Sequence, residues 1–269
     1  MKYLLLLVLV VIVGSCTERN KNNNVLAKDQ NNKKEILIYC ENVMVPALME
    51  LKEEFELKEE CVIKLHNDCS QNLASLIQYS LKGDIYLPAS KEGFKKLQGS
   101  SKSFIVDSAF IGFNPLVVMS LKGNPSQYSG NIKSLTERKY ALIIANPETS
   151  SLGAETRKLL NREKIYEELL MNVVALTTDS RGLVKSLENN EAQLIINWQS
   201  DLYHNGNANE VDIFPIPEGK DLPSEIYAGI LSTSNNADLA RDFLNYATGE
   251  NGISVFRKYG INRRKSLIF

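Results

Sequence analysis

Glu35-Ile36-Leu37-Ile38-Tyr39-Cys40 is a mostly apolar run of strand length, which suits a strand buried on both faces. Downstream, Pro46 fits the first turn of a helix in which Leu48, Leu51 and Phe55 repeat at helical spacing while Glu53, Glu54 and Lys58 face outward. Cys61-Val62-Ile63-Lys64-Leu65 reads as a second strand, followed by a polar turn from His66 to Cys69. Ser70 is placed to cap a helix that carries Leu73, Ile77 and Leu81 and stops at Gly83. Asp84-Ile85-Tyr86-Leu87 is then a third strand. Strands alternating with helices predict an α/β fold with a mostly parallel sheet covered on both sides.

The alternation continues along the chain. Strands are expected at Pro115 to Met119, Tyr140 to Ala145, Val173 to Thr177 and Leu194 to Asn197, with a Lys-Gly-Asn-Pro turn at Lys122 to Pro125. Ser150 or Ser151 caps a helix reaching Leu160, and Asp179-Ser180-Arg181 leads into a helix ending at Leu187. Two last helices are expected at Ala237 to Ala247 and Gly252 to Tyr259. Neither an internal repeat nor a linker interrupts residues 35–269. Ligands of open α/β sheets bind at the carboxyl ends of strands, where helix N-termini present free backbone N–H groups. That directs attention to the turns at residues 40–45, 66–71, 146–151 and 178–181.

Ahead of the first strand, Lys2 and the apolar run Leu4 to Val13 lead to Val13-Gly14-Ser15-Cys16. A basic start, a short apolar core and small residues before a cysteine read as an export signal over residues 1–15. The apolar run falls short of the about 20 helical residues needed to cross a bilayer. Val-Gly-Ser-Cys resembles the lipobox of bacterial lipoproteins, which implies cleavage before Cys16, its lipidation, and an extracytoplasmic chain anchored at the periplasmic face or the cell surface. Residues 16–34 are rich in Asn, Lys, Gln and Asp and poor in large apolar residues, so they read as a flexible tether. With a formal net charge of −1, nothing points to nucleic acid as a partner.

Setting Cys16 aside leaves Cys40, Cys61 and Cys69. If the first two strands are neighbours, Cys40 and Cys69 share one carboxyl edge. They are open to three readings: a disulfide, inert buried thiols, or soft ligands to a metal together with His66, Asp68 or Glu41. Their spacing matches no metal motif, and no cofactor motif is present. His66 and His204 are the sole histidines, and the chain has no nucleophile elbow, phosphate loop or dinucleotide fingerprint, so an enzyme is not expected.

Five stretches together resemble the periplasmic solute-binding proteins of ABC importers, nearest their molybdate- and tungstate-binding group: Tyr39 to Phe55, Asp84 to Leu97, Leu116 to Pro125, Asn146 to Leu160 and Ala240 to Gly260. The resemblance implies a two-lobed type II binding protein, with lobe one at residues 35–115 plus 227–269 and lobe two at residues 116–226. It further implies that a small anion, either an oxyanion such as molybdate or an organic anion, is held in the cleft by hydroxyls and backbone N–H groups. The monomeric receptor would pass that anion to a permease in the inner membrane. Carried onto this chain, the ligand set is Asn42, Ser70, Ser150, Ser151, Ser180, Arg181 and Trp198, the last in place of a tyrosine.

Ordinary roles fit the same residues: Ser70 as a cap, Arg181 on the surface, Trp198 in the core and Asn42 in a turn. Glu41 and Asp68 depart from the family pattern. Beside a dianion each would cost roughly 4 kcal/mol per pair of unit charges about 4 Å apart at an effective dielectric of ~20. Arg181 could compensate, and its planar fork suits carboxylate or phosphate. Two other roles stay open at this level: a sensory or accessory lipoprotein that presents its solute to a signalling protein, and a purely structural lipoprotein.

Overall fold

The computed structural model describes residues 33–99, 103–204, 206–216 and 224–263. The export signal, Cys16 and nearly all of the expected tether lie outside them.

The first segment supplies β1 (Glu35–Glu41), α1 (Val45–Glu59), β2 (Val62–Asp68), α2 (Ser70–Ser80), β3 (Ile85–Leu87), α3 (Lys91–Lys95) and β4 (Ile105–Asn114). The middle supplies β5 (Leu116–Leu121), β6 (Leu142–Ala145), α4 (Ser151–Arg162), α5 (Tyr166–Leu170), β7 (Val173–Thr177), α6 (Leu183–Glu188), β8 (Leu194–Trp198) and β9 (Val211–Pro215). Then come β10 (Ser224–Leu231), α7 (Ala237–Thr248) and α8 (Glu250–Lys258). The strands form two five-stranded sheets, ordered β2-β1-β3-β10-β4 and β7-β6-β8-β5-β9. The fold is therefore two-lobed α/β, with one sheet per lobe.

Both sheets are mixed. β1 pairs in parallel with β2 and β3, whereas β10 runs antiparallel to β3 and β4. In the second sheet β6 is parallel to β7 and β8, and β5 is antiparallel to β8 and β9. Three strands that the alternation did not predict, β4, β9 and β10, all enter antiparallel pairs, and β5, which it did predict, runs antiparallel to β8 as well. β4 leaves the first sheet at Asn114, and after Pro115 the chain enters the second sheet as β5. It has returned to the first sheet by Ser224, where β10 lies between β3 and β4.

Side-chain alternation along β1 sets the layers. Ile36, Ile38 and Cys40 join the cluster containing Ala47, Leu48, Leu51 and Phe55 of α1 and Phe243 and Phe256 of α7 and α8. The Phe55 and Phe243 rings meet edge to face at 5.2 Å. Tyr39 on the other face packs with Leu73 and Ile77 of α2, Tyr86 and Phe94. Each such fully buried side chain contributes about 1.5–3 kcal/mol relative to exposure. Helix α2 ends at Ser80, earlier than expected, with Leu81 at φ 51° accepting the left-handed cap. Gly83 does a different job: at φ +106° it lies against the Tyr39 ring, and a Cβ there would come within 2.3 Å of Cε2.

The structure corrects the disulfide reading. Cys40 and Cys69 are buried thiols that form no disulfide. Cys40 packs among the apolar side chains of α1, whereas Cys69 lies past the end of β2 as the residue that precedes α2. Sharing a sheet edge does not by itself give two thiols the geometry of a bond.

Candidate functional site

All four turns singled out from the sequence meet between the two sheets. The turn after β1 reaches the second lobe through Asn42, whose Nδ2 donates to Asp179 Oδ2 at 3.0 Å. The Asn42 side-chain oxygen accepts from Asn67 at 2.5 Å, so its amide is fixed from both ends. After β2, Asp68 Oδ1 accepts from Arg181 at 3.0 Å. Arg181 also donates through Nε to Asp179 Oδ2 at 2.9 Å, and the Gln71 backbone N–H donates to Thr149 O at 3.3 Å.

Glu41, the last residue of β1, makes the most buried of these crossings. Its Oε2 accepts from the Ala89 backbone N–H at 3.0 Å and from Ser151 Oγ of the opposite lobe at 2.6 Å. Ser151 is held in place by the first turn of α4. Ser150 caps that helix by accepting from the N–H groups of Leu152 and Gly153. Gly153 packs so tightly on the preceding turn that a Cβ would meet the Asn146 carbonyl carbon and oxygen at 2.4 Å. Ser70 is not a cap. It is the first residue inside α2, its Oγ is buried with no completed hydrogen bond, and the Cys69 N–H is taken by Asp68 instead.

Next to these contacts lies a cavity of ≈ 290 Å³ lined by Asn42, Ser180, Arg181, Lys185, Asp201, His204 and Asn207 among others. Asp201 is buried and accepts from Asn197 Nδ2 at 2.8 Å and Asn207 Nδ2 at 3.1 Å. Burial pushes its carboxyl up to about 7, those two amides pull it back, and Asp179 adds a like charge. Burial also raises Glu41, against the pull of the Ser151, Ala89 and Ser70 donors, and lowers His204, favouring its neutral ring. Arg181 is raised chiefly by its hydrogen bond to Asp179. Lys185, the other cation at the cavity, is ion-paired with Glu188 at 3.0 Å.

The residues implied by the resemblance thus separate. Asn42, Ser180 and Arg181 line the cavity, Ser150 is spent on its own helix, and Ser70 and Ser151 gather at Glu41. Trp198 is 1 % exposed and packed in the main hydrophobic cluster. Asp201, His204 and Asn207 were missed as lining residues. Asn197, Asp201 and Asn207 are close in sequence, but nothing local shows that their polar ends converge. Among the described residues, no group of three or more His, Cys, Asp or Glu could hold a metal ion, which corrects the thiol and carboxylate metal reading of Cys40 and Cys69.

Residues 36–262 match the profile of a family described as bacterial extracellular solute-binding protein. A Bacillus subtilis (strain 168) protein named as an ABC transporter substrate-binding lipoprotein, YvgL, is 22% identical over 86% of this chain and 88% of its own length. The Azotobacter vinelandii periplasmic molybdate-binding protein superposes with TM-score 0.72 at 13% identity, covering 85% of this chain and 99% of that one. Iron-bound HitA from Pseudomonas aeruginosa superposes with TM-score 0.66 at 14% identity, covering 84% of each chain. At such identities the structural likeness speaks for the fold alone.

Proposed function

We propose, from the premise that this chain belongs to the bacterial extracellular solute-binding proteins, that it is the extracytoplasmic receptor of an ABC importer. Its two lobes close on a small solute, and a permease in the inner membrane receives it. Anchoring through Cys16 would keep a monomeric receptor near that permease.

The solute we favour is small, polar and organic, and carries a positive charge or several hydrogen-bond donors, alone or beside an acid group. One observation carries this: the Arg181 guanidinium at the cavity is already engaged by Asp68 and Asp179, while buried Asp201 offers its carboxyl to the same space. A volume of ≈ 290 Å³ fits a molecule of amino-acid size. The expectation of an oxyanion such as molybdate, or of an organic anion, retains the support of Arg181 and Lys185, which line the same cavity.

A thermal-shift screen separates the two, because a ligand that binds the folded state raises its midpoint. Small amines and amino acids should raise the midpoint, and molybdate, tungstate, sulfate, phosphate and citrate should leave it in place. A shift with the anions alone would reverse the choice.

A further inference from the structure

Two helices point their first turns into the cleft from opposite lobes: α2, opened by Ser70, and α4, opened by Ser151. With the Ala89 backbone N–H, the two hydroxyls make a set of three neutral donors drawn from both lobes. Neutral donors at helix N-termini, shielded from water, are the usual means of holding an anionic oxygen. Here an oxygen is already present, and it belongs to the protein. Glu41 Oε2 takes the Ala89 N–H at 3.0 Å and Ser151 Oγ at 2.6 Å, while the buried Ser70 Oγ makes no hydrogen bond of its own.

Two features show that this is a filled anion site rather than an ordinary buried ion pair. Glu41 receives a hydroxyl and a backbone N–H, and among the described residues it forms no ion pair with a lysine, arginine or histidine. Its second oxygen, Oε1, and Ser70 Oγ are both buried with no completed hydrogen bond, although residues Glu41 and Ser70 are only 6% and 0% exposed. A buried carboxyl that existed only for stability would be expected to satisfy both oxygens. A site shaped to take an anion can instead be filled incompletely by a side chain anchored at the end of β1.

We infer that Glu41 is a specificity-determining residue: its side chain occupies an anion-binding donor set formed by Ala89, Ser70 and Ser151, and so bars free oxyanions from the closed cleft. The neighbouring cavity at Asn42, Arg181 and Asp201 is then the space left to the solute. The inference borrows from the receptor reading only the position of the cleft.

Isothermal titration of formate, sulfate and molybdate into the wild-type protein and Glu41→Ala tests it. Wild type should bind none of the three. Removing the carboxymethyl arm exposes the donors, so Glu41→Ala should bind at least one of them about tenfold or more tighter than wild type does. Saturating formate should raise the melting midpoint of the variant and not that of wild type. Glu41→Gln, which keeps an acceptor oxygen in place, should refuse all three. If Glu41→Ala does not fold, Glu41→Ser opens most of the same space for the same titrations. An oxyanion bound equally by wild type and variant, or a folded variant that binds none, overturns the inference. Failure of every organic solute in the thermal screen would leave it standing and would count against the receptor reading alone.

Discussion

Two of the polar contacts that cross the cleft do the same mechanical work in opposite surroundings. At Glu41 and Ser151 a carboxyl that has no ion-pair partner among the described residues meets a hydroxyl, and both residues are buried. At Asp68, Arg181 and Asp179 formal charges meet, and the Arg181 side chain is 52% exposed. A buried acceptor cannot turn to water when its donor is lost, so the first contact should be the costlier to break despite having fewer charges. The second pays for its position in screened Coulomb energy and is free to open and re-form as the lobes move.

The sharpest way to break this contrast is Ser151→Ala. It leaves Glu41 Oε2 with the Ala89 N–H alone and should cost about 2–3 kcal/mol in denaturant unfolding. Raising the salt should leave that loss unchanged. Arg181→Ala should cost less, about 1–2 kcal/mol, because water replaces part of what the guanidinium gives Asp68 and Asp179. Its cost should also shrink toward 1 M NaCl, where the Debye length falls to about 3 Å. If both losses respond equally to salt, the two contacts share one environment and the contrast fails.

Asp201→Asn probes the edge of the charged region and should have the smallest effect. The Asp201 carboxyl holds its proton up to about pH 7 in the folded protein, whereas in an unfolded chain it loses it near ~4. Between those values the folded state binds more protons, so this group's contribution to stability falls as pH rises through that window and is flat above it. An asparagine cannot ionise. The variant should therefore gain on wild type in melting midpoint from pH ~4 to ~7 and hold that gain at higher pH. A lead that is the same at pH 4 and pH 7 would show that the raised carboxyl is not its source.

Much of the fold can be read locally. Ile36 and Ile38 with the Leu48, Leu51, Phe55 series mark β1 and α1 because apolar period and turn residues are written into neighbouring positions. β10 was not legible, since Ser224–Leu231 earns its central place only from β3 and β4 on either side. The site divides in the same way. The turn after β1 and the start of α4 could be named as cleft segments, yet Glu41 read as an obstacle to binding rather than as an occupant. The distinction lies in the hydrogen bonds to Ser151, 110 positions along the chain, and to Ala89, 48 positions along.

The sequence by itself determined β1 to β3, β5 to β8, the helices α1, α2, α4 and α6 to α8, and the four turns at which the lobes meet, because each depends on residues a few positions apart. Tertiary structure alone decided that Cys40 and Cys69 stay unbonded and that Arg181 spans Asp68 and Asp179. It alone decided, too, that a carboxyl ending β1 fills donors contributed by both lobes. These are meetings between distant segments, fixed by sheet order and helix packing, and no local pattern encodes a partner that only packing brings within 3 Å.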